Sequence, residues 1–276
     1  MFDSLIALDF AMKHVVVFGG TSGINLGIAQ AFHFRGANVS VASRLPANVS
    51  GAVRSMADDP DRIFGAVADI RSEEAVNQAL HSAAAQFGQI DVLVQGAAGN
   101  FLCAAKALSS NGFKAVVDID LIGTFNVMRS AYPLLVKPNA CVINITAPQS
   151  YIPMQYQVHV CAAKAGVDQI TRVLAMEWGI DGIRVNSVSP GPIADTEGVR
   201  RLMSIPGQDS EQLGSRVPLG RMGQKTDIAN LCLYLASPYA AFISGAVIPC
   251  DGGGSLDSVK ATIEEAGMRE APKLPG

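Results

Sequence analysis

The sequence lacks the patterns that mark disulfide frameworks and zinc sites. Its five cysteines, Cys103, Cys141, Cys161, Cys232 and Cys250, are scattered, odd in number and never form a CxxC pair. The four histidines show neither HExxH nor HxH spacing. These absences argue against a disulfide-stabilised fold and against a bound metal, and they fit a reducing compartment.

Long apolar runs and an excess of charge of one sign are also missing. The most apolar stretch, 232–250, is interrupted by serines and prolines, whereas a membrane span needs roughly 20 uninterrupted apolar residues. The first ten residues have no basic region and the last four read KLPG, so we expect neither a secretory nor a peroxisomal signal. The net charge of −3 gives no attraction for nucleic acid or an anionic membrane. We therefore expect a cytoplasmic protein without nucleic-acid or membrane partners.

What is present is the pattern of an α/β protein. Apolar residues make up 49% of the 276 residues and charged residues 16%, which excludes a disordered chain. From residue 14 onward, short apolar runs such as VVVF and DVLV alternate with longer helical segments. This alternation is typical of parallel strands joined by right-handed helical crossovers. Strands are predicted over 14–18, 38–42, 62–68, 90–94, 140–145, 183–188 and 246–249, and helices near 24–34, 72–87, 111–135, 158–179 and 225–236.

We accordingly predict a single doubly wound Rossmann-type domain, residues 1–255, with a central, mostly parallel seven-stranded sheet. Residues 256–276 are expected to form a partly mobile C-terminal tail. The segment from Pro190 to Gln224 is rich in Gly, Pro, Ser and charge and is predicted to be a long loop. It follows the sixth strand, at the edge where open α/β sheets bind ligands. The sequence leaves open whether this loop closes over a substrate.

A glycine-rich turn between the first strand and the first helix indicates a phosphate-binding loop. One glycine allows the tight turn, a second allows close approach of a pyrophosphate, and the helix N-terminus supplies free N–H groups. The glycines alone are a weak signal, and a purely structural turn is the alternative. The preceding strand and following helix strengthen the assignment. The residues assigned to this loop are Gly19, Thr21, Ser22, Gly23 and Ile24.

The end of the second strand indicates which nicotinamide cofactor is bound. An NAD enzyme would place a carboxylate there, whereas this chain has Ser43 and Arg44, which suit a 2′-phosphate. We therefore predict NADP(H), with a solvated surface arginine as the alternative. Asp69 ends the third strand and is predicted to accept a hydrogen bond from the adenine amino group. A simple loop cap is the alternative for Asp69.

Three motifs, in this order and at this spacing, resemble the short-chain dehydrogenase/reductase family. They are GxxxG at 19–23, AAG at 97–99 and PGPI at 190–193. The resemblance covers about residues 12 to 255 and implies a Rossmann-type fold with a nicotinamide cofactor. It adds to the cofactor site Ala97, Pro190, Gly191, Ile193 and Lys164.

The chain departs from that family at the catalytic positions. Where the family has a tyrosine four residues before the lysine, this chain has Val160, and the expected upstream serine is Ala147. The family's helix-four asparagine is Asp120, and its third loop glycine is Asn25. Valine cannot protonate an alkoxide as hydride reaches a ketone. Ordinary ketone–alcohol chemistry is therefore not expected.

This set of departures resembles one branch of the family, the 2,4-dienoyl-CoA reductases, and most closely the peroxisomal type. The matching stretches are AAGNFLC at 97–103, DID…GTFN at 118–126, INITA at 143–147, QVH…AK at 157–164 and PGPI…TEG at 190–198. The resemblance implies NADPH-dependent reduction of a 2,4-dienoyl-CoA to a 3-enoyl-CoA in unsaturated fatty acid β-oxidation, by a homotetramer. A monomer with a broad core is the alternative. The resemblance assigns to the acyl-CoA Arg44, Arg71, Phe101, Ser109, Ser110 and Asn111, for which solvated charge and helix capping are the alternatives.

The implied reaction explains why the tyrosine can be absent. Hydride added to a conjugated diene yields a dienolate rather than an alkoxide, so the site must stabilise an oxyanion and protonate the α-carbon. We predict that Asp120 and Lys164 order a water that delivers this proton. The alternatives are an Asp120 that caps buried backbone and a Lys164 on the helix surface.

Three further side chains near the lysine are left without a firm role. Tyr151 or Tyr156 could offer a phenol to the thioester oxygen, although the mitochondrial branch places that tyrosine where this chain has Gln149. Loop packing is the favoured interpretation for both. His159 is turned about 100° from Val160 on a helix, so we expect it to pack or to hydrogen-bond at an interface rather than to transfer a proton.

Two other functions fit parts of the sequence. One is reduction of a different activated alkene, imine or carbonyl. The other is a catalytically silent nucleotide-binding protein, which the loss of the tyrosine and serine would favour. The retained Lys164 beside a new Asp120 argues against a silent protein. Acyl-chain length and double-bond geometry do not follow from the sequence.

Overall fold

Seven strands form one sheet in the order β3-β2-β1-β4-β5-β6-β7, and each neighbouring pair is parallel. The computed structural model describes residues 8–56, 58–203 and 210–256. The expected seven-stranded α/β architecture is confirmed, and the sheet is fully parallel rather than mostly so. Within the described ranges, no helix has the length and apolar character needed to cross a membrane. The strands are β1 His14–Phe18, β2 Asn38–Ser43, β3 Ile63–Val67, β4 Val92–Gln95, β5 Cys141–Ile145, β6 Arg184–Pro190 and β7 Val247–Cys250.

Helices cover both faces of the sheet because the strands bury side chains on both sides. In β1, Val15 and Val17 point to one core and Val16 and Phe18 to the other. The first core packs against α1, α2 and α9, and the second against α3, α5 and α6. The α-helices of the described residues are α1 Gly23–Phe34, α2 Pro46–Arg54, α3 Glu73–Phe87, α4 Ser110–Val117, α5 Gly123–Ala131, α6 Val158–Trp178, α7 Glu197–Met203, α8 Ser210–Ser215 and α9 Lys225–Ala236.

The predicted helix over 111–135 is interrupted in the structure. A π-helical turn, Asp118–Ile122, separates α4 from α5, and a 3₁₀ turn, Tyr132–Leu134, follows α5. A π turn inserts one residue into the helical repeat, which apolar periodicity alone does not reveal. This insertion falls in the segment that carries Asp120.

Two other segments differ from the sequence-based expectation. Helix α2 is absent from the predicted helices because its sequence, PANVSGAVR, buries only Val49 and Ala52, so it has little apolar periodicity. The segment 190–224 is not a continuous loop, because β6 extends to Pro190 and the short helices α7 and α8 follow. The C-terminal tail falls almost entirely outside the described residues, which end at Leu256. The domain limits of 1–255 stay a prediction.

Helix α5 approaches the end of β3 so closely that only glycine fits at its first position. A Cβ on Gly123 would lie 2.6 Å from two atoms of the buried Ile70 side chain. We expect Gly123→Ala to lower the free energy of unfolding by about 1–3 kcal/mol through overpacking. A Cβ on Gly51, inside α2, would meet no atom within 4 Å, so Gly51→Ala should raise stability by roughly 0.5–1 kcal/mol. Thermal and urea denaturation measure both; equal effects of the two substitutions would contradict the prediction.

Candidate active site

The predicted cofactor residues come together at the carboxyl edge of the sheet. Gly19 directly follows β1, Ser43 ends β2, and Asp69 lies two residues beyond β3. Ala97 lies two residues beyond β4, and Pro190 ends β6. Because all strands are parallel, these positions share one edge, which is where open α/β sheets bind ligands.

The glycine turn after β1 has the shape of a phosphate-binding loop. Gly19 has φ +73°, and a Cβ there would lie 2.8 Å from the Ala97 backbone. Gly23 has φ +55°, with open space where a side chain would be. Ser22 is the N-cap of α1 but makes no side-chain cap hydrogen bond, and the first turn carries no acidic residue. The helix therefore presents free N–H groups and its positive end to an anion.

Asn25, at the position of the third family glycine, connects this loop to the end of β4. Its Nδ2 donates a hydrogen bond to the Gly96 carbonyl oxygen at 2.8 Å. A Cβ on Gly96 would overlap the Asn25 amide, and one on Gly19 would lie 3.1 Å from Asn25 Nδ2. The departure from the family was visible in the sequence, but this bond was not predicted. The sequence did contain both partners of this bond: an asparagine in the first turn of α1 and a glycine immediately after β4.

Asp69, which was predicted to bind the adenine of the cofactor, forms an ion pair with Arg71, which was predicted to bind the acyl-CoA. Arg71 donates to both carboxylate oxygens of Asp69, from Nε at 3.0 Å and from Nη2 at 2.5 Å. The Arg71 hydrogen bonds hold the pKa of the Asp69 carboxyl below its usual value. Arg44 is exposed just beyond β2, and its charge contributes to the same lowering of the pKa. The two arginines thus both act on one ionised carboxylate.

Asp120 lies in the π turn and is almost completely buried, with 1% of its surface exposed. Its Oδ1 accepts a hydrogen bond from the Gly99 backbone N–H at 2.7 Å. Its backbone oxygen accepts one from Thr124 Oγ1 at 2.6 Å. Asp120 does cap a backbone group, the half-buried Gly99 N–H, but this uses only one of its two carboxylate oxygens.

The other carboxylate oxygen of Asp120 faces Lys164. Lys164 Nζ lies 3.5 Å from Asp120 Oδ2 and donates a hydrogen bond to the Ile145 carbonyl oxygen at 3.2 Å. Lys164 is buried, so the alternative of a surface lysine is wrong. The 3.5 Å separation exceeds the usual N–H···O range of 2.7–3.2 Å. The two groups therefore form a buried ion pair without a short direct hydrogen bond.

At the position of the missing family tyrosine, the side chain of Val160 packs in the protein interior. Val160 is buried in a small apolar cluster with Val116 and Ala163, which joins α4 to α6. The two tyrosines just upstream of Val160 in the sequence make other contacts. The Tyr151 hydroxyl hydrogen-bonds to Ser189 Oγ at 3.1 Å. Tyr156 is exposed, and its backbone oxygen accepts a hydrogen bond from Cys103. The Tyr151 phenol is thus held beside the end of β6, and the Tyr156 contact is made by its backbone.

Four of the six predicted acyl-CoA residues lie on the segment from β4 to α4, whereas Arg44 follows β2 and Arg71 follows β3. The Phe101 ring lies 4.5 Å from the His159 ring, measured between centroids. Ser109 is the N-cap of α4, with its Oγ accepting from the Gly112 N–H at 3.0 Å. Ser110 and Asn111 are exposed in the first turn. His159 hydrogen-bonds to Phe101 within the chain, so the expected contact at a subunit interface is not needed to explain it.

Comparisons with known proteins identify the family. Residues 19–255 match a family model described as enoyl-(acyl carrier protein) reductase. The peroxisomal 2,4-dienoyl-CoA reductase of Pongo abelii is 46% identical over 249 residues, covering 88% of this chain and 84% of that protein. The chain belongs to the short-chain dehydrogenase/reductase family.

Other members of the family extend this result. A probable 2,4-dienoyl-CoA reductase of Bacillus subtilis, named as producing a (2E)-enoyl-CoA, is 36% identical over 248 residues, covering 89% of this chain and 97% of that protein. A solved short-chain dehydrogenase from Bacillus anthracis superposes with a TM-score of 0.81 at 34% identity, covering 88% and 96% of the two chains. Membership of this short-chain family implies a nicotinamide nucleotide cofactor, and the open phosphate loop after β1 fits such a group.

The bond between Asn25 and Gly96 should support cofactor binding. Asn25→Ala removes the donor to a backbone carbonyl and the amide against which Gly19 lies. We expect the dissociation constant of the nicotinamide nucleotide to rise about fivefold to tenfold, which corresponds to one lost hydrogen bond. Fluorescence or calorimetric titration measures it. Asn230→Ala, an exposed asparagine on α9, is the matched control; equal affinities of the two variants would contradict the prediction.

Proposed function

We propose that this protein is an oxidoreductase that reduces a 2,4-dienoyl-CoA to a 3-enoyl-CoA with NADPH, in the β-oxidation of unsaturated fatty acids. The observation that carries the proposal is the buried pair of Asp120 and Lys164 beside an aliphatic Val160. The site holds a cation and a carboxylate but places no phenol where a ketone reductase needs one. The names of the relatives support the same substrate class.

The reaction adds a hydride and a proton to the two ends of a conjugated system. When bound, the dihydronicotinamide would supply the hydride. The hydride adds with its electron pair to the diene carbon farthest from the thioester. The displaced electrons delocalise onto the thioester oxygen and form a dienolate. A proton then reaches the α-carbon, and one carbon–carbon double bond remains, between carbons 3 and 4. No alkoxide forms at any point, so Val160 is no obstacle.

Lys164 and Asp120 have complementary roles in this proposal. Lys164 has three N–H donors, one of which is used by the Ile145 carbonyl. Its charge stabilises the developing oxyanion, and such stabilisation is strongest where water is excluded. Asp120 is held by the Gly99 N–H and keeps Oδ2 available. We propose that a water hydrogen-bonded to both groups delivers the α-proton.

The position of protonation decides the product. The relatives differ here, since the Pongo abelii protein is named for a (3E)-enoyl product and the Bacillus subtilis protein for a (2E)-enoyl product. Protonation at the α-carbon gives the 3-enoyl thioester, whereas protonation at the γ-carbon gives the 2-enoyl thioester. A proton delivered from the pair that stabilises the thioester oxygen favours the α-carbon, which is the nearer of the two.

We propose NADPH rather than NADH because of the residues after β2. Ser43 ends β2 and the exposed Arg44 follows it, and an arginine suits a 2′-phosphate where an NAD enzyme has a carboxylate. The remaining cofactor contacts proposed are those at Thr21, Ser22, Ile24, Gly191 and Ile193.

We further propose a cytoplasmic homotetramer. Large apolar side chains are exposed on α5 and α6 of the isolated chain, among them Phe125, Val173 and Met176, and burial of such side chains between subunits supports this proposal. All five cysteines are free, which supports a reducing compartment.

The decisive experiment replaces the carboxylate. Wild-type protein should consume NADPH with 2,4-hexadienoyl-CoA and form the 3-enoyl product. Asp120→Asn keeps an acceptor for Gly99 but removes the charge, so kcat should fall about 100-fold or more while the dissociation constant of NADPH changes less than about twofold. Asp118→Asn, in the same π turn, is the control and should retain most activity.

Other outcomes of this assay point to other functions. Folded protein that binds NADPH but consumes none with any dienoyl-CoA would instead be a silent nucleotide-binding protein. Turnover of simple ketones or imines in preference to dienoyl thioesters would favour the broader reductase alternative. An Asp120→Asn variant with wild-type kcat would exclude the proposed proton delivery.

The cofactor preference is tested at Arg44. Arg44→Ala should raise the dissociation constant of NADPH at least about tenfold, because a charged hydrogen bond is lost, and should leave that of NADH nearly unchanged. Arg54→Ala, at the end of α2 and also exposed, provides the control. A parallel loss for both nucleotides would show that Arg44 does not read the 2′-phosphate.

A further inference from the structure

His159 is fully buried at the start of α6, and the reaction proposed above does not use it. Its Nε2 lies 3.1 Å from the Phe101 carbonyl oxygen. A carbonyl oxygen can only accept, so Nε2 carries the proton. Nδ1 is buried and has no hydrogen-bond partner among the described residues.

The imidazole holds the segment that leaves β4 and carries Phe101. Besides the hydrogen bond, its ring packs on the Phe101 ring with the centroids 4.5 Å apart. Two residues further on, the Cys103 N–H donates to the Tyr156 carbonyl oxygen at 2.9 Å. Residues 101 and 103 are therefore both hydrogen-bonded to the segment 156–159, at the start of α6.

The same contacts fix where the Phe101 side chain lies. A Cβ on Gly112, in the first turn of α4, would be 3.3 Å from the tip of the Phe101 ring. The ring thus lies between the starts of α4 and α6, while 39% of Phe101 and 44% of Leu102 remain exposed. Such an apolar surface, exposed to solvent in the free protein, suits an acyl chain. Burial of the acyl chain against it would stabilise the complex by roughly 0.8 kcal/mol per methylene.

We propose that His159 is a positioning residue that holds Phe101 as one wall of the acyl-chain channel, and that it does not donate the proton. This inference rests on the proposed function, since it assigns Phe101 to the acyl chain of that substrate. It makes His159 a determinant of chain-length preference. The imidazole acts through the Phe101 backbone and ring, and the chemical step at Asp120 and Lys164 does not involve it.

Kinetics with two chain lengths separate positioning from proton transfer. His159→Phe keeps a ring against Phe101 but loses the donor, and His159→Gln keeps a donor but loses the ring. For His159→Phe we expect KM for 2,4-decadienoyl-CoA to rise about fivefold to tenfold, as for one lost hydrogen bond, with KM for 2,4-hexadienoyl-CoA and both kcat values changing less than about twofold. His159→Gln should restore part of the loss. Val158→Ala, exposed and adjacent, is the control. A fall in kcat of about 100-fold with both substrates and unchanged KM would identify a proton donor and overturn the inference.

A second measurement does not depend on turnover. Hydrogen exchange of the Cys103 amide and its neighbours in the free protein should be at least about tenfold faster in His159→Ala than in wild type or Val158→Ala, because local opening becomes easier. If wild type reduces no dienoyl-CoA, the proposed function fails, and this exchange difference still reports whether His159 holds the segment. Unchanged exchange in His159→Ala would overturn the inference even in an active reductase.

Discussion

The site depends on how one short irregular segment, residues 96–101, is held after it leaves β4. Side chains from three helical elements bind its backbone: Asn25 of α1 binds the Gly96 carbonyl, Asp120 of the π turn binds the Gly99 N–H, and His159 of α6 binds the Phe101 carbonyl. Gln95, the last residue of β4, adds a hydrogen bond to the Ala97 carbonyl. The segment lies outside helices and strands, so these side chains supply partners for its half-buried backbone groups. The segment thereby borders the phosphate loop, the Asp120–Lys164 pair and the proposed acyl wall at once.

The buried pair illustrates why the π turn matters. Removing one partner of a buried ion pair leaves an uncompensated charge, so Asp120 must stay close to Lys164 while it also reaches Gly99. A regular helix through 111–131 would rotate the residues after the turn by about 100° relative to α4. The extra residue of the π turn lets Val116 of α4 pack on Val160 while Asp120 still faces the site.

The fold could be predicted from the sequence because its signals are local. Runs such as VVVF lie in strands buried on both faces, and the glycines at 19 and 23 adopt the positive φ values that their spacing indicates. The features that escaped prediction depend on contacts between distant segments. The Asn25–Gly96 bond joins residues 71 apart, the His159–Phe101 bond joins residues 58 apart, and the mutual pairing of Asp69 and Arg71 depends on side-chain direction. The π turn escaped because α4 and α5 have only 8 and 9 residues, too few for the apolar period of each to reveal a one-residue shift between them.

In the proposed reaction the chain can lack the family's tyrosine because no alkoxide forms, and the segment 96–101 keeps the remaining groups in place. Asn25 and His159 bind its backbone, whereas Asp120 binds the Gly99 N–H and, in the proposal, also orders the water that delivers the proton. Contacts that bind one short segment are coupled, since displacing one backbone group shifts its neighbours. The aliphatic Val160 has a structural part in this arrangement, because its packing joins α4, which leads into the π turn of Asp120, to α6, which carries His159 and Lys164. In the proposed reaction, the position of the pair therefore depends on packing at the place where the family has its tyrosine.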